Sequence, residues 1–501
     1  MNTTPVFFLA AAVQLLAAVT LHAQAPALSP VMPVDPPNGK NSTQSDWNNF
    51  GWQSFVAANW PAVAAPAPGI SGQPDASLPV GALAKNGALV PTTWLTWRTA
   101  SSTFLAKAVN PGPWNNNPQG QPPGCAPLQP STPVAPGFLP MMLNMTTKLS
   151  NPIDDIDEAF AGPLIDQSGW CVIYDIRLNQ SEYTYIQQFG YYDAVNQQKA
   201  FPPAPAKPTF IGFPRTGQDP VPPAPATSPP GPPMFNPPLP AWAQFGATEI
   251  KASWRVLDPT KDQISRYYTQ TGYFLQPDGT TCQGPTIFGL IGLHILRLTP
   301  SSPSTWFWAT FEQVDNVSVP EGATFKPTLA LPNTPIGNCP SGTNVQPNAF
   351  PKNIPWNGGA SPIVNVCRVN PIPSDIQAAN AKWQQALAGT VWANYQMIGV
   401  INPSVPGGPQ FKIPVSGSPA NTDTLANATL ETYFQDAAPG AGRSCMDCHG
   451  TGGFPQGAPR TGDFQVFTFL LGNADSSNPG VAKRQGLHRK VVEKFRAAAK
   501  K

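Results

Sequence analysis

The residues best suited to chemistry lie near the C-terminus, in Cys445-Met446-Asp447-Cys448-His449. On a helical turn, positions i and i+3 share a face, so two thiols at this spacing reach both vinyl groups along one haem edge. His449 follows directly and presents its imidazole to the iron from the proximal side. Ser444 is placed to cap such a turn and Gly450 to end it. Three other chemistries use the same residue types. A thioredoxin-like pair belongs at a strand-to-helix step, whereas the flanks here are Pro439-Gly440-Ala441-Gly442 and Thr451-Gly452-Gly453. A structural zinc site needs more ligands close by, and beyond the leader the other histidines are His294 and His488. A short-loop disulfide is the plainest alternative.

The motif resembles the haem-attachment site of the c-type cytochromes. The resemblance implies one covalent haem c on Cys445 and Cys448, with His449 as proximal iron ligand, and electron transfer as the function. In that family a proline-containing loop supplies a carbonyl that steadies the proximal imidazole; Pro455 and Pro459 stand where such a loop would be. The chain departs from the family in one respect: no methionine follows Met446, so the usual axial Met is missing. The sixth ligand then comes from His488, from His294, from upstream Met397 or the Met141, Met142 and Met145 cluster, or the site is open. An open site would suit a haem enzyme, peroxidase- or oxygenase-like, with His294 as distal acid–base group. A haem-bearing subunit of a larger redox complex, with the body as a binding module, is a further alternative. The carrier is preferred because no catalytic constellation surrounds the motif.

The elements that must position these groups are uneven in character. Trp47 to Trp60 carries aromatics at three-to-four spacing and is expected to be a helix stopped by Pro61. Strands are expected around 93–97, 172–179, 249–257, 286–298 and 306–314, the last three forming an antiparallel sheet. His294 sits inside the apolar run Phe288–Leu296, which reads as a buried strand. A short helix is expected over 182–195. A clearer one spans 374–387, with Ile376, Ala379, Trp383 and Leu387 on one face and a Ser374/Gln377 capping box. His488 lies beside the apolar face of a basic C-terminal helix. Ile153 to Glu158 reads as a solvated turn, since it lacks the glycine and closing glutamate of a calcium loop.

The expected fold class is α+β, β-rich and loop-heavy: an antiparallel sheet body with scattered helices and a small C-terminal helical haem c segment. Its expected parts are a signal peptide at 1–25, a mixed N-terminal part at 26–200, a Pro-rich connection at 201–240, a sheet-rich body at 241–420 and the haem segment at 421–501. The aromatic segments together with the lone C-terminal motif resemble bacterial exported cytochrome c family proteins.

Composition supports that outline. Charged residues are 11% of 501, and 65 prolines force much of the chain into loops and extended segments. The apolar stretch from Val6 and the small residues Ala23 and Ala25 read as an export signal, although its first residues carry no Lys or Arg. The protein is therefore expected in the periplasm or outside the cell, with no transmembrane segment in the mature chain. Of the cysteines outside the motif, Cys125, Cys171, Cys282, Cys339 and Cys367, two bridges and one buried thiol are expected. Residues 483–501 hold eight basic residues against Glu493 alone, a surface that would suit an acidic redox partner; a solvated helix face accounts for it equally well. Export and a slightly acidic main body argue against nucleic acid as a partner.

Overall fold

The structure is a computed structural model that describes residues 25–65, 70–116, 125–127, 133–144, 163–200, 213–218, 235–276, 281–334, 364–401, 425–435 and 470–478. Thr43 starts the first helix, α1 (Gln44–Ala58): its hydroxyl accepts from the Asp46 amide, and the Asp46 carboxylate accepts in return from the Thr43 amide. With the first N–H groups satisfied, the helix runs to Asn59, just ahead of Pro61. Its aromatic residues are buried, as a helix at the centre of a core requires.

The strands are β1 (Arg98–Thr99), β2 (Met141–Asn144), β3 (Ile173–Leu178), β4 (Thr248–Leu257), β5 (Thr269–Leu275), β6 (Cys282–Thr299), β7 (Ser302–Gln313) and β8 (Tyr395–Ile401). They form one curled sheet in the order β1-β3-β4-β6-β5-β2, with β7 and β8 branching from β6. The length of β6 explains the branch. One edge pairs with β4, while the other takes β5 along Cys282–Gly289 and β7 along Gly292–Thr299. All pairings are antiparallel except β2 with β5. The other helices are α2 (Ala100–Thr103), α3 (Gln180–Gln188), α4 (Ala194–Ala200) and α5 (Ser374–Ala386).

Alternation along the strands divides the side chains between two faces. On one, α1 and α5 pack over β6, β7 and β8. Trp47 stacks on Phe307 at 5.3 Å, Phe55 on Phe311 at 4.3 Å and Trp52 on Trp383 at 6.0 Å. Asn380 ties this layer together: its Oδ1 accepts from the Trp52 indole and the Met397 amide, and its Nδ2 donates to the Met397 carbonyl. On the other face a second core gathers Leu178, Tyr183, Ile186, Leu296, Trp306, Trp308, Leu470 and Leu471 under α3 and α4.

This is the expected mixed α+β class, with a curled, largely antiparallel sheet and scattered helices. Several details differ from expectation. Thr93–Thr96 is a 3-10 turn, and only Arg98–Thr99 pairs as strand. Between β4 and β6 an extra strand, β5, breaks the expected succession of three strands. The expected helix at 182–195 is two, separated by Gly190 at φ 68°. Helix α5 begins without a side-chain cap: Pro373 is the cap position, and Gln377 Nε2 donates to the Ile372 carbonyl.

No helical haem segment appears among the described C-terminal residues. Leu470–Asn473 is a 3-10 turn whose leucines join the second core, and Gln197 Nε2 donates to the Leu471 carbonyl. Among the described residues no helix is long and apolar enough to cross a membrane. Most of the Pro-rich connection (201–212 and 219–234), Ile153–Glu158 and the basic tail lie outside the described residues.

Candidate functional site

Strand β6 places His294 at the centre of the sheet, where β4 and β7 flank it through Lys251 and Thr310. Both ring nitrogens are engaged. The Trp308 indole donates to Nδ1 at 3.2 Å, which leaves the ring proton on Nε2, 2.6 Å from Glu431 Oε1. Glu431 Oε2 accepts from the Asn427 amide at 2.8 Å. Burial opposes the ionisation of Glu431, but His294, Lys251 and the Asn427 amide outweigh it and hold the carboxyl below its usual range. The same stretch, 427–435, lies flat on the sheet. Asn427 Nδ2 donates to Thr310 Oγ1, Ala428 N to Glu312 Oε1, and Thr429 shares a hydrogen bond with Ser253. Arg368 closes the far side by pairing with Glu312.

This network corrects the haem expectations. His294, expected as distal group or sixth ligand, has no ring nitrogen free for iron and is 1% exposed. Met397 is a core residue packed on Gly51. Among the described residues no group of three or more His, Cys, Asp or Glu is placed to hold a metal ion. Cys125 is joined to Cys282, Cys367 is disulfide-bonded and Cys171 is buried outside any disulfide, so these cysteines serve the fold. The described body therefore offers no haem c site. The readings as an electron carrier, a haem oxidoreductase or a haem-bearing redox subunit are not carried further, nor is the acidic redox partner. Cys445, Cys448, His449 and His488 lie outside the described residues.

A second feature, which sequence reasoning missed, lies at the second core, around α3 and α4. Asn179 caps α3 by accepting from the Glu182 amide. Glu182, in the first turn, is fully buried against Glu249 of β4. Burial, and then the neighbouring Glu249 carboxylate, raise its pKa well above the ordinary carboxylate range. At its other end α3 opens into a groove of about 650 Å³. Four amide side chains line it: Asn110, Gln187, Gln188 and Asn196. Phe189, Gly190, Tyr191, Tyr192 and Ala200 complete the lining, and the surface exposed to the groove is mostly polar.

Local geometry holds the groove in shape. Gly190 takes the left-handed conformation that ends α3, and Asn196 Nδ2 donates back to its carbonyl at 3.1 Å. Phe189 and Tyr191 stack at 5.9 Å. Behind them the 470–478 piece braces α4: the Ala194 amide donates to the Asp475 carbonyl, and Ser477 Oγ to Asp193 Oδ2. Among the described residues no charged side chain lines the groove; Lys199 stands nearby, with Nζ 3.5 Å from Asn196 Oδ1. The signal legible in sequence was the run Gln187-Gln188-Phe189-Gly190-Tyr191-Tyr192, amides and aromatics around a glycine.

No protein-family model, curated protein or solved structure matches this chain.

Proposed function

We propose that the body of this protein is a ligand-binding module whose contact site is the groove at the α3–α4 corner. One observation carries the reading: polar groups, among them the amide side chains of Asn110, Gln187, Gln188 and Asn196, converge on one opening. The groups suited to acid–base chemistry are elsewhere. His294 pairs with Glu431 and Glu312 with Arg368, all four buried, and Glu182 is buried in the first turn of α3. The sheet and its two cores then serve as a rigid frame for the corner. Export to an oxidising compartment accords with the Cys125–Cys282 bridge.

The test is a thermal-shift screen of the full chain against a library of uncharged and charged small molecules, repeated with Tyr192→Ala. The expected result is a ligand class that raises Tm for the natural chain and not for the variant. Equal shifts in both proteins would show that binding happens elsewhere and would overturn the assignment.

A further inference from the structure

Resting on that groove as the binding site, we infer that Arg98 is its positioning residue, holding the 104–116 loop in the strained shape that sets Asn110 in the groove wall. Arg98, in β1, is 0% exposed, and every group it donates to is neutral. Its Nη2 shares its N–H groups among the Ser102 carbonyl at 3.0 Å, the Pro111 carbonyl at 2.9 Å and the Tyr183 hydroxyl at 2.7 Å. Its Nη1 donates to the Asn116 carbonyl. A buried charge is ordinarily paired with an opposite one. Here the donors go instead to carbonyls just ahead of the loop, within it and at its end, which a flat fork of N–H groups can join at once and an ammonium cannot.

The loop would not keep this shape unaided. Lys107 at φ 59° and Ala108 at φ 53° are successive non-glycine residues in the left-handed region, where Cβ crowds the following carbonyl. Such residues persist where their surroundings over-determine them. Arg98 is one tie. The Lys107 amide, donating to Asp475 Oδ2 at 2.7 Å, is another, and the Tyr183 hydroxyl, donating to the Gly112 carbonyl at 2.7 Å, is a further one. Between these ties stands Asn110, which lines the groove while its Oδ1 accepts from the Gly112 amide at 2.9 Å.

Tyr183 connects this anchor to the rest of the groove. It belongs to α3, the helix that brings Gln187 and Gln188 to the lining. The Arg98 guanidinium lies over its ring, with Cζ 4.4 Å from the centroid, and Trp114 from the loop packs edge-on to the same ring at 5.5 Å. Arg98 thus ties together the loop and the helix that line the groove, and its side chain donates to no residue of β3 to β8. Loss of the guanidinium should therefore loosen the corner and spare the sheet.

Hydrogen–deuterium exchange of the full chain, with nothing added, tests this in the natural protein, Arg98→Lys, Tyr183→Phe and Tyr183→Phe/Ala108→Gly. Hydroxyl-radical footprinting of the same samples reads how open Tyr191 is. Both single variants are expected to speed exchange at 106–112 about tenfold while β6 and β7 change less than about twofold, and to raise oxidation of Tyr191 roughly threefold. Ala108→Gly removes the left-handed penalty at that position and should restore about half of the lost protection. If Arg98→Lys does not fold, Tyr183→Phe, which removes a single hydroxyl, decides the matter. Unchanged exchange at 106–112 in Tyr183→Phe would overturn the inference, as would protection lost evenly over the sheet or a loop that Ala108→Gly does not help. The small-molecule library is then run on Tyr183→Phe, where compounds that raise the Tm of the natural chain should lose about half of their shift. Full shifts beside a loosened loop would overturn the positioning role and leave the groove in question to Tyr192→Ala. If no compound raises the Tm of the natural chain, the groove reading falls and the positioning role falls with it, whatever the loop does.

Discussion

Glu431 and Glu182 are both buried carboxyls, and they respond to pH in opposite directions. Glu431 has its pKa lowered by His294, Lys251 and the Asn427 amide against the opposing effect of burial. The stability it contributes is present above its unfolded pKa, near 4.5, and is lost as pH falls through the lower folded value. Glu182 has a raised pKa, from burial first and Glu249 second. Its favourable contribution is present below about 4.5 and is lost as pH rises toward the folded value. Two variants separate these effects. Glu431→Gln should cost about 2–3 kcal/mol at pH 7, since one hydrogen bond to a charged acceptor is lost and another weakened, and should flatten the acid limb of a Tm–pH curve. Glu182→Gln should raise Tm at pH 8 and flatten the alkaline side. Both are read by differential scanning calorimetry between pH 2 and 9; a Glu182→Gln protein less stable than the natural one at pH 8 would contradict the assignment.

At the scale of elements, the 427–435 stretch comes close against β6 at Gly292. A Cβ added at Gly292 would overlap Thr429 Oγ1 and Ser253 Oγ, the pair whose hydrogen bond pins the stretch to the sheet. Gly292→Ala should therefore cost about 1–3 kcal/mol and increase hydrogen exchange at residues 427–432 before the rest of the body. Sequence reasoning reached the strongly patterned elements: α1 from its aromatic spacing, β3, β4, β6 and β7 from their apolar and β-branched runs, and α5 from its four-residue periodicity. It placed His294 in a buried strand but could not see what meets it there, since Glu431 is 137 residues away in sequence. The groove was missed for a related reason. Its residues were read as one helix, and the left-handed turn at Gly190 that folds Phe189, Tyr191 and Asn196 around an opening shows only in the backbone. Strand β5 was missed because Thr269-Gln270-Thr271-Gly272 is polar and contains a glycine; Gly272 is required where β2 pairs alongside, since any side chain would strike the Met141 carbonyl. Thr93–Thr96 shows the converse: β-favouring residues held in a 3-10 turn, with Trp94 Nε1 donating to Asn59 and Thr96 Oγ1 to the Thr93 carbonyl.

For the whole molecule, the two cores share one sheet, and the Cys125–Cys282 bridge spans 157 residues between the N-terminal part and the start of β6. Closing so long a loop constrains the unfolded chain by about 5 kcal/mol on a chain-entropy account. Cys125→Ser should accordingly lower Tm by several degrees and leave the groove, to which neither cysteine contributes, able to bind. The central claim is that the α3–α4 corner is where this protein meets its ligand. The most direct measurement is hydrogen–deuterium exchange of the full chain with and without a saturating ligand found by the thermal-shift screen. The account predicts slowed exchange confined to residues 187–196 and the flank at Asn110. Protection centred on the 427–435 stretch, or none at the corner while binding is saturated, would contradict it.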